Sequence, residues 1–502
     1  MSVPAGESLR LIRAGVDTYQ EPVVYLRADS AVCRSEGFEA QARVLVETGG
    51  RSLVCTLNVV TDGGWLGSGV AALSEAAWRR LHPRADDLAT FRHAEAAESA
   101  SRIRAKVYGQ SLTHIEYEAI MRDAIAGRLS DIELAAFLAA CVAQQLEDPE
   151  VTALTQAMVH VGTTLTWHSS VVLDKHCVGG LPGNRTTPIV VAIVAACGQL
   201  IPKTSSRAIT SPAGTADAMA TLAPVELDLA AMRRVVEREG GCIVWGGSVG
   251  LSPADDVLIR VERPLDFDSN AQLIASVLSK KIAAGSTHVL LDMPVGPTAK
   301  IRSFEAARTL GKSMSAVGTA LGIKVGLHLS DGTQPVGGAI GPALEARSVL
   351  AVLGRETHAP RDLRERALDL AGAVLELDGA RPGEGRARAV QVLDSGLAEQ
   401  KFEAICEAQG GMRTPPVARH RAPVVAAASG TVRTIDNRVL GRIAKLAGAP
   451  ADPAAGLELH VRLGDRVERG MPLMTVHAET SGELAYALSY QRHHTSAIDV
   501  EP

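Results

Sequence analysis

The chain has 502 residues, too many for one hydrophobic core and enough for about three domains. Its 46% hydrophobic and 21% charged residues are the balance of a globular protein. A net charge of −5, with no long run of one sign, excludes the basic face that a nucleic-acid polymer needs in a partner, although two or three local cations suffice for a small anion. The seven cysteines (Cys33, Cys55, Cys141, Cys177, Cys197, Cys242 and Cys406) are odd in number and include no C-x-x-C pair. That pattern argues against a disulfide framework and against a structural zinc site. Residues 1–20 lack a basic-then-apolar leader pattern, and the longest apolar stretch, 189–200, is too short to span a bilayer. A soluble cytoplasmic protein with no membrane partner is expected.

In chain order, residues 1–84 read as a β-rich domain, with strands predicted at 42–47 and 52–60 around the turn Gly49-Gly50. The stretch 82–87 reads as a linker. A helical domain is expected over 85–168. Thr113 with Glu116, and Ser130 with Glu133, fit the capping box, in which hydroxyl and carboxylate satisfy free backbone donors at a helix start. After the second box, Leu134, Phe137, Leu138, Cys141 and Val142 share one helical face. Asp148-Pro149 opens a third helix.

From 169 to 420 the pattern becomes apolar strand, glycine-rich turn and helix, which predicts an α/β domain. The first strand is placed at 169–173, and others at 242–245, 288–291 and 324–329. A Pro- and Arg-rich stretch, 413–423, leads into residues 421–502, where glycines between short β-like runs suggest a small α+β barrel-like module. The expected fold class is therefore multidomain α/β and α+β.

Two clusters carry chemistry. In Asp174-Lys175-His176-Cys177-Val178-Gly179-Gly180, a glycine-rich turn before a helix exposes N–H groups at the positive end of the helix dipole, where an anion is held. Lys175 adds a full charge, and Thr186 and Thr187 add hydroxyls. The bland alternative is a tight turn with a surface lysine. The second cluster runs from Lys203 to Thr215 and packs six hydroxyls, an arginine and a glycine before another helix. A bare cap needs only one or two of these residues.

Together these segments resemble the thymidine and pyrimidine-nucleoside phosphorylase family, most closely its longer branch with an extra N-terminal domain, which includes the archaeal AMP phosphorylases. The motif S-S-R-A-I-T-S-P-A-G-T-A-D of that branch stands here from Ser205 to Asp217, and the likeness continues through 252–256, 275–281 and 331–337. The resemblance implies a small helical domain facing an α/β domain, with substrate in the cleft. It implies phosphate held by Lys175, Thr187, Ser205 and Thr215. Substrate contacts carry over to Gly180, Ser206, Arg207, Ala208, Ile209, Thr210, Ser211, Thr215, Ser276 and Lys300, and Lys280, one helical turn from Ser276, is placed by its spacing to contact the base as well. Asp268 and Lys175 take the catalytic places, Asp268 as proton donor to the leaving base. Its competing role is to complement a helix dipole beside the Ser269–Gln272 capping box. Lys280 has the competing role of a snorkelling surface lysine.

The implied partners are a nucleoside or nucleotide and inorganic phosphate as co-substrate, with no organic cofactor or metal and a homodimer or larger homo-oligomer. Two departures bear on substrate. Cys177 stands where a serine is usual, which weakens a phosphate donor to a thiol. The arginine that holds a pyrimidine carbonyl falls near Val261 or Glu262, and Arg263 reaches that place only in a shifted register. The missing arginine disfavours thymidine and the hydroxyl-rich loop favours a substrate with a 5′-phosphate, so thymidine and AMP both stay open.

Rival readings are a phosphoribosyltransferase of the same general fold and a serine hydrolase. The first needs magnesium and finds no acidic pair beside the glycine-rich loop. The second rests on Gly246-Gly247-Ser248-Val249-Gly250, with Asp255 and His288 following in order, and lacks a helix immediately after the serine. The start of the last module is similar to biotinyl or lipoyl carriers, but Lys445 lies in a helical-looking segment, and the module reads as structural.

Overall fold

The computed structural model describes residues 8–502 apart from Gly63, Ile209, Thr210, Asp266 and Asp268. The predicted catalytic Asp268 and two residues of the substrate loop therefore lie outside the described residues. The chain divides into two units, one of residues 1–146 with 254–269, the other of residues 147–253 with 270–502.

In the first unit six short strands close into a barrel; the strand Arg43–Thr48 buries every second residue, whereas Arg51–Val60 buries Val54 through Leu57 in a row. The barrel strands are β1 (Ser8–Arg13), β2 (Val23–Arg27), β3 (Arg43–Thr48), β4 (Arg51–Val60), β5 (Val70–Leu73) and β6 (Leu88–His93), ordered β1-β5-β2-β4-β3-β6. β1–β5 and β2–β4 run parallel, and the other pairs antiparallel. β3 and β4 pair Thr48 with Arg51, so Gly49-Gly50 is a two-residue hairpin loop, and both glycines have positive φ as that turn demands. β6 lies beyond the predicted linker at 82–87 and closes the barrel against β1 and β3.

Both capping boxes form. The Thr113 N–H donates to Glu116 Oε2 at 3.0 Å, and the Ser130 N–H to Glu133 Oε2 at 2.8 Å. They start the helices His114–Ile125 and Asp131–Ala143. The latter buries Leu134, Phe137, Leu138 and Cys141, the face predicted from periodicity. Arg260 donates to Asp131 at 2.6 Å and ties the 254–269 segment to this bundle.

The second unit centres on parallel strands: β7 (Leu173–Cys177), β8 (Ile201–Ser205), β9 (Gly241–Trp245), β10 (His288–Val295) and β11 (Lys324–Asp331). Three form the sheet β11-β10-β7 and two the pair β8-β9, with a bridge from Val172 to Leu200 joining them. The Thr186–Ala196 helix is buried along its length and forms the core with the Arg361–Glu376 and Leu397–Ala408 helices. Its apolar run thus serves a protein core, and among the described residues no helix is long and apolar enough to cross a membrane.

The first strand of this unit is Leu173–Cys177, not the expected 169–173, so Asp174, Lys175 and His176 lie within the strand. Charged residues enter this buried strand because Asp174 and Lys175 each meet a counter-ion from another element.

The last part of the chain adds β12 (Ala339–Ile340), β13 (His420–Val425), β14 (Gly430–Ile435), β15 (Gly456–Leu459), β16 (Arg466–Val467), β17 (Pro472–Ala478) and β18 (Ile498–Glu501). They form the sheets β12-β15-β17-β13 and β16-β14-β18, packed with the helices Asn437–Leu446 and Ser481–His493. β12 precedes the C-terminal segment yet pairs with β15, so one sheet continues from the α/β part into the module. Lys445 is in the first of these helices, not on a carrier hairpin.

Candidate active site

All five parallel strands deliver their C-terminal ends to the same side, where open α/β sheets hold their ligands. β7 turns there through Gly179 and Gly180, at φ 91° and 80°, into the Thr186–Ala196 helix. Arg185 at the N-cap of this helix makes no side-chain capping bond, which leaves its N-terminal donors without that partner. The fully buried Lys175 Nζ sits beside them, donating to Thr186 Oγ1 at 2.9 Å and Thr187 Oγ1 at 3.5 Å. Its counter-ion is Asp292 Oδ2 at 3.4 Å, on the neighbouring β10.

Asp292 also accepts from Asn184 Nδ2 (3.1 Å) and Ser330 Oγ (3.0 Å). Burial pushes its carboxyl upward, but Lys175, Arg366 and these hydrogen bonds more than offset that and hold it below the usual carboxylate range. Asn184 Nδ2 also donates to Cys177 Sγ at 3.4 Å. Burial, with the Asp292 charge, pushes the Cys177 thiol up to about 11, so the sulfur stays protonated near neutrality.

The second cluster lies at the end of β8 and is folded around one carboxylate. Asp217 Oδ2 accepts from the N–H groups of Ala208 (2.6 Å) and Gly214 (2.9 Å), and Oδ1 pairs with Arg207 at 3.2 Å. A Cβ at Gly214 would stand 2.6 Å from Ala208 N and from Ser206 O, so glycine is required for the loop to close. Arg207 stacks over Trp245 at 5.0 Å and also reaches Glu226 at 2.7 Å. Ser205 Oγ donates to Val244 O at 3.2 Å, and Ser211 Oγ to Ala213 O at 3.0 Å. Ser206 is exposed beside them.

Arg185 joins the two clusters, and sequence reasoning missed it. Its guanidinium donates to Thr215 Oγ1 (2.7 Å), Ala213 O (3.0 Å) and Glu345 Oε2 (2.7 Å). Glu345 is 160 positions away, and no local spacing signals the pair. Gly180 packs against the backbone of Lys300, where any Cβ would collide with the Lys300 nitrogen. These contacts bring Lys175, Thr187, Thr215, Gly180 and Lys300 into one connected region. Ser276 and Lys280 are half-buried on the Asn270–Ala283 helix, whose next residue, Lys281, reaches Asp174 at 2.8 Å.

The hydrolase motif does not assemble. Ser248 lies inside the four-residue helix Gly246–Val249, and its hydroxyl is directed at backbone carbonyls of Trp245 (2.8 Å) and Leu227 (3.1 Å). The helical turn holds the serine itself, whereas the sequence pattern places helix only from 253 onward. His288 Nδ1 is engaged by Thr287 Oγ1 at 2.8 Å.

Comparison with known proteins agrees with this architecture. Residues 101–162 match the profile described as "Glycosyl transferase family, helical bundle domain", and residues 169–399 match its "a/b domain". Residues 431–495 match the "Pyrimidine nucleoside phosphorylase C-terminal domain". A protein of Acidovorax sp. named "Putative thymidine phosphorylase 1" is 62% identical over 480 residues, 95% of this chain and 94% of that one. A Polaromonas sp. protein named "Putative thymidine phosphorylase" is 59% identical over 493 residues, 98% of this chain and 96% of that one. Among solved structures, anthranilate phosphoribosyltransferase of Thermus thermophilus superposes with a TM-score of 0.50 at 21% identity, covering 61% of this chain and 98% of that one, which shows a shared fold. With such identity across nearly its whole length, the chain belongs to the thymidine and pyrimidine-nucleoside phosphorylase family, in the longer branch that carries an additional N-terminal domain.

Proposed function

We propose that the protein is a pentosyltransferase that uses inorganic phosphate to cleave the N-glycosidic bond of a nucleoside or nucleoside 5′-monophosphate. The observation that carries this reading is the buried Lys175 ammonium at the start of the Thr186–Ala196 helix, within reach of two threonine hydroxyls. A cation, hydroxyl donors and a helix N-terminus suit a phosphate dianion. In the proposed chemistry, phosphate held by Lys175, Thr187, Ser205 and Thr215 approaches C1′ of the sugar as the glycosidic bond lengthens. The dianion stabilises the oxocarbenium character that develops, and no covalent intermediate with the protein is required. The departing base must be protonated or held as an anion, and the proposal gives protonation to Asp268 and contacts with the base to Ser276 and Lys280.

Two observations pull the substrate in different directions. The relatives named as thymidine phosphorylases favour thymidine, giving thymine and 2-deoxyribose 1-phosphate. The hydroxyl-rich 206–211 loop favours a 5′-phosphate, so that AMP gives adenine and ribose 1,5-bisphosphate. Incubation with phosphate and either thymidine or AMP, with free base quantified by chromatography, separates them. Thymine release assigns the first. Adenine release from AMP but not from adenosine assigns the second. Absence of phosphate-dependent base release from any common nucleoside or nucleoside monophosphate refutes the proposal.

A further inference from the structure

Behind Lys175, on the opposite face of β7, two lysines meet over one carboxylate. Lys281 Nζ is 2.8 Å from Asp174 Oδ2, and Lys203 Nζ is 3.4 Å from Asp174 Oδ1. Both amines also point at the Thr204 carbonyl, Lys203 at 2.6 Å and Lys281 at 3.4 Å. The side chains of Asp174, Lys203 and Lys281 are at most 5% exposed.

The charges of this patch do not balance. Among the described residues, Asp174, Lys175 and His176 on β7, Cys242 on β9 and Lys281 on the Asn270–Ala283 helix are titratable groups that interact with Lys203, and Lys280 on the same helix acts on His176. His176 is driven well below its ordinary value, first by burial and then by the surrounding lysines, and so is neutral. Burial drives the Cys242 thiol up, so it is neutral too. Lys175 is matched by Asp292. Three buried ammoniums, those of Lys175, Lys203 and Lys281, would then stand against two buried carboxylates, those of Asp174 and Asp292, among the described residues.

An uncompensated buried charge is costly, and the usual escape is loss or gain of a proton. Lys203 is the group placed to give one up. Its shortest contact is a neutral carbonyl, whereas Lys281 has the shorter ion pair. Burial lowers the Lys203 amine far below the usual lysine range. Asp174 opposes this, while Lys281 and Lys175 add to it.

We propose that phosphate enters this protein together with a proton: Lys203 is a neutral amine in the free protein and becomes an ammonium when the phosphate dianion settles beside Lys175. The proton passes from solvent to the Lys203 Nζ lone pair, forming the ammonium's third N–H bond, and the dianion supplies the negative charge that the patch lacks. Lys203 is thus a positioning residue that matches charge without touching substrate. The inference rests on the phosphorolysis reading.

Calorimetry of phosphate binding at about pH 8.5, where inorganic phosphate is already the dianion, tests it in buffers of different ionisation enthalpy. The native protein is expected to take up close to one proton per phosphate. Lys203→Met is expected to bind phosphate with that uptake abolished, and His176→Gln to retain it. Phosphate bound by native protein with no proton uptake overturns the inference, as does unchanged uptake in Lys203→Met. Should that variant not fold, the phosphate KM of native protein decides, and it should rise by up to tenfold per pH unit above pH 8. A KM flat to pH 9.5 overturns the inference. Failure of phosphate to bind at all, with no base release, instead defeats the phosphorolysis reading beneath it.

Discussion

Arg185 and Glu345 offer the sharpest separation of stability from function. Their ion pair is 2.6 Å long, with side chains 9% and 1% exposed. Burial pushes the Glu345 carboxyl upward, and Arg185 is the first of the groups that pull it back. Arg185→Met leaves a buried carboxylate whose remaining hydrogen-bond donor among the described residues is the Gly341 N–H. Breaking a buried pair in this way costs about 3–5 kcal/mol. At about 2.1 cal/mol/K per residue, over the roughly 340 residues of the second unit, that corresponds to a fall in melting temperature of about 4–7 °C.

Arg185→Met combined with Glu345→Met removes both charges, and such replacement is often close to neutral, so most of the melting temperature should return. Activity should not return, because Thr215 and Ala213 lose their guanidinium donor in both variants. A charge-assisted hydrogen bond of about 1.5–3 kcal/mol corresponds to a fall of roughly tenfold to a hundredfold in kcat/KM for phosphate. Scanning calorimetry and initial-rate kinetics on the two variants measure both quantities. A double variant that recovers stability and activity together would refute the reasoning, since Arg185 would then be a packing element only.

Other expectations follow from the same contacts. Gly180→Ala forces a Cβ into the Lys300 backbone at φ 80°, and should lower kcat/KM at least tenfold while leaving the barrel unit's unfolding unchanged by hydrogen exchange. Asn437 Nδ2 donates to Thr298 Oγ1 and to Gly332 O, both at 3.0 Å, so Asn437→Ala should loosen the segment before Lys300 and raise hydrogen exchange at 296–301. Ser248→Ala should keep phosphorolysis within about twofold, and the native protein should not be labelled by a serine-directed fluorophosphonate.

The pH dependence has a definite sign. The folded-state values of Asp174, Asp292 and His176 are all lowered, so each contributes stability that is present above its unfolded value and lost as the pH falls through its folded one. Through these three groups, loss should begin below about pH 6.5 with His176 and steepen below about pH 4 with the aspartates, on top of the decline that a neutral Lys203 amine contributes from higher pH. His176→Gln should flatten the first limb, and Asp292→Asn the second, when melting temperature is measured from pH 8 to 3.

Local chemistry is legible in the amino-acid sequence by itself. The boxes at Thr113 and Ser130, the Gly49-Gly50 hairpin and the buried face of the Asp131–Ala143 helix each depend on residues within a few positions of one another. Such features follow from backbone donors and side-chain periodicity alone. The two candidate phosphate segments are visible for the same reason, as runs of glycine and hydroxyl residues before helices. Only tertiary structure decides what surrounds them. By sequence pattern the charged triplet Asp174-Lys175-His176 follows its strand, but it lies inside it, because Lys203, Lys281 and Asp292 arrive from other elements to compensate it. Arg185 meets Glu345 across 160 positions, and Gly180 meets Lys300 across 120. A buried charge is tolerable only where its counter-charge is also buried, and that pairing is a property of the packed sheet, not of any one segment of chain.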